Sequence, residues 1–187
     1  MFTTRRAVVA SASAAIATRV TGLELAHAAA IDLTHIPTSF HEQAMGAAIK
    51  IGQLGYCPFG AVIVRPPAQE LLARGADNSR LNPTYHGEIV CMNDYVAHHG
   101  NQDWDRCVLY TTGEPCPMCM AALIWAGIGG VIYGTSIATL TKKIGWRQIT
   151  ISASEVVAAA STFRHVALLG GILANETDAI FAERLKR

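Results

Sequence analysis

The sequence predicts an α/β fold in which helices cover both faces of a sheet of mixed strand direction. Three observations lead to it. Stretches with helical spacing of apolar residues alternate with short apolar runs through most of the chain. The first two strand-like runs lie close enough to return on each other as a hairpin, which mixes the strand directions. The length, 187 residues, suits one buried core and is short for two.

Taken in order, Phe40 to Leu54 reads as a helix with Ser39 as its cap and Gly55 as its stop. Gly60 to Val64 is a short apolar strand ended by Pro66-Pro67, and Leu71 to Ala73 pairs back against it. From Tyr85 to His98, the positions Ile89, Met92 and Val96 recur at helical spacing, with Thr84 as the expected N-cap. Cys107 to Thr111 is a buried strand. Glu114-Pro115-Cys116 turns out of it into a helix from Met118 to Ala126, which Gly127 stops. Val131 to Tyr133 is a strand, followed by a loop rich in Thr, Lys and Gly. Ser154 to Ala160 is a helix, His165 to Leu169 a strand, and Asn175 to Lys186 a closing helix with Asn175 as its cap.

The first residues read as an export signal over 1–28, leaving one domain over 29–187. Thr4-Arg5-Arg6 precedes a weakly apolar run from Ala7 to Ala17, and Ala26-His27-Ala28 has the small-x-small pattern of a cleavage site. Paired arginines before such a run resemble a twin-arginine signal, which implies a periplasmic or secreted protein. If residues 1–28 instead form an ordinary amphipathic helix, the protein is cytoplasmic. The run is too short to span a bilayer, so no membrane span is expected.

Without residues 1–28 the chain carries 12 basic and 13 acidic residues, a net charge of −1. Binding a polyanion draws on clustered Lys and Arg. The densest internal group is only Lys142, Lys143 and Arg147, so nucleic acid is not an expected partner. Five cysteines are an odd count that does not suit a disulfide framework. Cys57, Cys91 and Cys107 sit in apolar surroundings as small hydrophobes, which leaves Cys116 and Cys119 for another purpose.

That purpose is chemical. His86-Gly87-Glu88 and Pro115-Cys116-Pro117-Met118-Cys119 each follow a turn and open a helix. Zn²⁺ prefers tetrahedral nitrogen and sulfur ligands, and cysteines at i and i+3 on one helical turn direct both sulfurs to one point. With His86 as the third ligand, one zinc per chain keeps an open position for water, as catalytic zinc sites do. Glu88, two residues past His86, is close enough to move protons without ligating. His98 and His99 fall at a helix C-terminus, where they interact favourably with the helix dipole.

The pairing of H-x-E with P-C-x-x-C resembles the signature of the cytidine deaminase-like superfamily of zinc deaminases. The branch with guanine deaminases, tRNA adenosine deaminases and fungal-type cytosine deaminases is similar through Asn82-Pro83-Thr84-Tyr85-His86, Leu109 to Cys119, and Ala122-Leu123-Ile124-Trp125-Ala126. The resemblance implies a three-layer α/β/α sandwich with a five-stranded mixed sheet, assembled as a homodimer. It implies that Asn78 hydrogen-bonds the base and that the Glu114 backbone carbonyl meets the departing amino group. It also implies that Ala61 lies near the base through its backbone, with Phe59 as a pocket wall and Trp125 as a substrate neighbour.

The function that follows is hydrolytic deamination of a small-molecule nucleobase, guanine or a related aminopurine ahead of cytosine, isocytosine or an aminotriazine. Gly87 is a feature shared with cytosine deaminases, and Gly171 to Glu176 is similar to tRNA adenosine deaminases. Those nucleic-acid enzymes, and a noncatalytic zinc-stabilised binding module, are the alternatives.

Overall fold

The structure is a computed structural model that describes residues 31–68 and 70–186. The export signal expected over residues 1–28 lies outside the described residues. Five strands form one sheet in the order β2-β1-β3-β4-β5. β1 (Gly60–Val64) pairs antiparallel with β2 (Leu71–Ala76) and with β3 (Val108–Gly113), while β4 (Gly130–Thr135) and β5 (Ala167–Gly170) continue parallel to β3. The early hairpin is therefore the source of the mixed direction, as the sequence predicts.

Alternate residues of the strands feed two cores, one on each face of the sheet. Ala61, Ile63, Leu109 and Val131 pack under α2 (Gly87–His99), α3 (Pro117–Ala126) and α5 (Ala153–Ala159). Val62, Val64, Tyr110 and Ile132 pack under α1 (Thr38–Gly52) and α6 (Ala174–Leu185). Between β4 and α5 the chain forms a single turn, α4 (Ile137–Thr139), that runs into a π-helical turn at Leu140–Ile144. Among the described residues, no helix is long and apolar enough to cross a membrane.

Three expected caps fall elsewhere. α1 starts one residue before Ser39, because the Pro37 carbonyl already accepts the N–H groups of Phe40 and His41. Thr84 is not the cap of α2. Its N–H and hydroxyl donate to the Asn82 side chain at 3.0 and 2.9 Å, closing a turn, and His86 becomes the N-cap. α6 begins at Ala174 behind Leu173, whose positive φ of 51° reverses the chain out of β5 and leaves Asn175 inside the helix. α5 does carry a capping box, with Ser152 and Glu155 bonded reciprocally.

The first turn of α2 lies tight on the strand edge. A Cβ on Gly75 would come within 2.2 Å of the Cys91 N–H nitrogen and the Gly87 carbonyl oxygen, and one on Gly87 within 2.4 Å of the Phe59 carbonyl oxygen. Only glycine at both positions lets the helix start sit this low against β1 and β2, which sets the depth of His86 and Glu88.

Candidate metal centre and active site

Two helix starts meet beyond the carboxyl end of β3. His86 is the N-cap of α2 and Cys116 the N-cap of α3, and neither side chain makes a capping hydrogen bond. Both are directed to a common point instead. Pro117 at the first position of α3 needs no N–H partner there, and Cys119 follows one turn in. The helix N-termini bring partial positive charge to both thiols.

The distances fit zinc. His86 Nδ1 lies 3.6 Å from each of the two sulfurs, which are 3.7 Å apart. A tetrahedral Zn²⁺ about 2.3 Å from sulfur and about 2.0 Å from nitrogen requires sulfur-to-nitrogen separations of ~3.5 Å and sulfur-to-sulfur of ~3.8 Å. Among the described residues this is the one group of three or more His, Cys, Asp or Glu placed to hold a metal ion. It offers three donors, which leaves a tetrahedral ion one open position.

Without an ion the three donors share protons unevenly. The Cys116 thiol is pulled down to about 4, chiefly by the hydrogen bond from Cys119 and further by His86. Cys119 keeps the shared proton and is pushed up by that same bond and by burial. The His86 imidazole is raised, first by its hydrogen bond to Cys116. A bound cation displaces these shared protons, since cysteine ligates as thiolate and histidine as neutral imidazole.

Glu88 is 2% exposed, and its Oε2 has no hydrogen-bond partner. Burial first, then the negative charge of Cys116, holds its carboxyl up at about 7. A buried carboxyl with an orphaned oxygen is costly unless it serves a ligand, and Glu88 stands two residues past His86 in the first turn of α2.

The other expected site residues divide. Phe59 backs the imidazole, its ring 6.5 Å from that of His86 and nearly parallel, and packs in turn on Trp146 and Phe181. Asn78 stands exposed at the head of the loop entering His86, with its N–H bonded to the Tyr85 carbonyl. Ala61 contributes no side chain to the site, because its methyl is fully buried in the core with Cys91 and Leu109. The Glu114 carboxylate is 4% exposed and bonded to main-chain N–H groups of Ile137 and Ala153.

Trp125 stands apart from the metal donors. It lies at the far end of α3, 77% exposed, edge-on to Phe163 and lining a separate cleft with Asn101 and Arg164. Nine residues of helix, about 13 Å of rise, separate it from Cys116. Neither Ala61 nor Trp125 therefore joins the cavity through its side chain.

The cavity beside the metal ligands, about 280 Å³, is lined by His86, Cys116, Met118, Arg147, Gln148 and Ile149. The last three come from the loop after β4, and the sequence offered little to find them by. Trp146 was the one available signal, an aromatic in a stretch of Lys, Thr and Gly. Of the remaining cysteines, Cys91 and Cys107 are buried as expected, while Cys57 is only partly so; all five are free thiols. His98 and His99 close α2, bonded to the carbonyls of Asp94 and Leu72.

Residues 36–135 match the family described as the cytidine and deoxycytidylate deaminase zinc-binding region. A guanine deaminase of Bacillus subtilis (strain 168) is 41% identical over 78 residues, 41% of this chain and 49% of the relative. A tRNA-specific adenosine deaminase of Streptococcus pyogenes is 37% identical over 101 residues, 53% of this chain and 62% of the relative. The chain thus spans about half the length of the first and less than two thirds of the second. A solved guanine deaminase from Nitrosomonas europaea shares the fold with a TM-score of 0.66 at 20% identity, over 78% of this chain and 85% of that one.

Proposed function

The chain belongs to the cytidine and deoxycytidylate deaminase zinc-binding family, and from that premise we propose that it hydrolyses the exocyclic amino group of a free nucleobase, guanine or a related aminopurine. The observation that carries this reading is the pairing of a three-donor zinc set with a buried carboxyl two residues past the histidine, one of whose oxygens lacks a partner. His86, Cys116 and Cys119 are the residues that would hold the ion. Zinc, when bound, supplies a Lewis acid that lowers the pKa of a coordinated water to about 7.

Glu88 handles the protons. Its carboxylate accepts one from the attacking water and passes it to the ring nitrogen next to the amino-bearing carbon, which opens that carbon to attack. It then takes the second proton of the added water and delivers it to the departing amine. One C–O bond forms and one C–N bond breaks, so base and water become the oxo base and ammonia. Phe59 holds the His86 ring from behind. The Glu114 carbonyl and Asn78 are assigned the amino group and the base by family resemblance, and each stands within eight residues of a metal ligand.

The near-neutral composition of residues 29–187 and the 41% identity to a guanine deaminase support a free base. One observation favours a second reading, a base within RNA: exposed Lys142 and Lys143 lie just ahead of Arg147 at the cavity. Ammonia release from guanine, 2,6-diaminopurine, adenine, cytosine and an anticodon stem-loop separates the two. Guanine is expected to be turned over fastest. Release from the RNA alone would replace the reading, and release from no substrate would point to a zinc-stabilised binding module.

We further propose export of a mature chain beginning near Ala29, supported by the Arg5-Arg6 pair and the apolar run behind it. Replacing both arginines with lysine is expected to retain the precursor in the cytoplasm. Unchanged export would remove the twin-arginine assignment. A homodimer belongs to the same reading, supported by the exposed Trp125 on α3, and sedimentation of the mature chain as a monomer would exclude it.

A further inference from the structure

Glu114 carries a buried carboxylate with both oxygens committed to main chain. The Ile137 N–H donates to Oε2 at 2.7 Å and the Ala153 N–H donates to Oε1 at 2.8 Å. These donors are the first residues of α4 and α5, helix starts where an anionic acceptor is favoured. The main chain of Glu114 is fixed as well, its N–H bonded to the Thr135 carbonyl at 2.7 Å. One side chain therefore grips both ends of a single excursion, and that excursion carries Arg147, Gln148 and Ile149 to the cavity.

Taking a carboxylate out of water is costly, and it persists where good hydrogen bonds offset the loss. A neutral cap would satisfy one of the two helix starts. Only a two-oxygen acceptor satisfies both, because the amide nitrogen of a glutamine in its place would face an N–H donor. We propose that Glu114 is a positioning residue: its carboxylate clamps the two ends of the 137–153 loop and thereby fixes Arg147 to Ile149 against the substrate. What fills the cavity rests on the deaminase reading above; the clamp itself does not.

The test uses the zinc-loaded full chain with Glu114→Gln, and Glu114→Ala as a harsher variant. Lys142, Lys143 and Arg147 are exposed, so native-state trypsin reports directly on the loop. In Glu114→Gln, cleavage after these three residues is expected to accelerate about tenfold or more, the weight of one hydrogen bond to a charged group. Cleavage elsewhere and zinc content should be unchanged, and KM should rise by a similar factor while kcat changes much less. Unchanged cleavage at the three sites, or equal acceleration at every site, would overturn the clamp. If the wild type proves inert on every base, the protease result still decides it. If Glu114→Ala does not fold, the glutamine variant decides alone.

Discussion

Glu88→Gln is expected to keep its zinc and its fold while losing ammonia release by about 10⁴-fold, the upper end of what general acid–base groups contribute. The reasoning is steric and electrostatic. Glutamine preserves size and helix position, so the first turn of α2 is undisturbed. It removes the basic carboxylate that is to take and return protons in successive steps. Because burial disfavours the charged form of Glu88, a neutral side chain there should leave thermal stability unchanged or slightly raised, as happens when functional groups are removed. Turnover, metal content and Tm measured on one preparation are the readout. A variant with full zinc and near-normal release would refute the proton-transfer role.

Ligand removal should have the second large effect. His86→Ala, Cys116→Ala and Cys119→Ala each leave two donors, and each is expected to drop from about one zinc per chain to near none after dialysis, with activity falling to background. They should also lose stability. His86 and Cys116 are 30 residues apart in sequence, so a shared ion closes a long loop through α2 and β3, and a ligand that binds only the folded chain stabilises it. Metal analysis beside thermal melts checks both parts. Active wild-type protein without zinc would sink the scheme.

The central strands β1, β3 and β4 were legible because each carries a short run of apolar, often β-branched residues, and Gly60–Val64 falls where that pattern places it. The helix starts were less so. Ser, Thr and Asn serve turns as readily as caps, and at 82–84 the Asn82 turn won, displacing the expected Thr84 cap. The metal donors could be read from sequence because their spacing is imposed by helix geometry at two helix starts. The place of Trp125 was not legible for the complementary reason: periodicity gives the face of α3 but does not say which end meets the cavity. Residues 147–149 had no pattern to offer. They reach the site through a π-helical turn held by the fully buried Leu140 and by Trp146 packed on Phe59, contacts that only tertiary structure creates.

The grip of Glu114 on its loop is made to backbone amides, and every residue except proline supplies one. The two attachment points are thus indifferent to side-chain identity, while between them Leu140, Ile144 and Trp146 anchor the stretch on Phe59 and Phe181. The residues that face the cavity, 147–149, can be rewritten, provided proline stays out of positions 137 and 153 and the apolar anchor is kept, while His86, Cys116 and Cys119 remain as they are. On the proposed function, such an arrangement separates the three metal donors from the residues that face the cavity, so grafted 147–149 segments are a route to new amino-base preferences in which the donors are inherited intact.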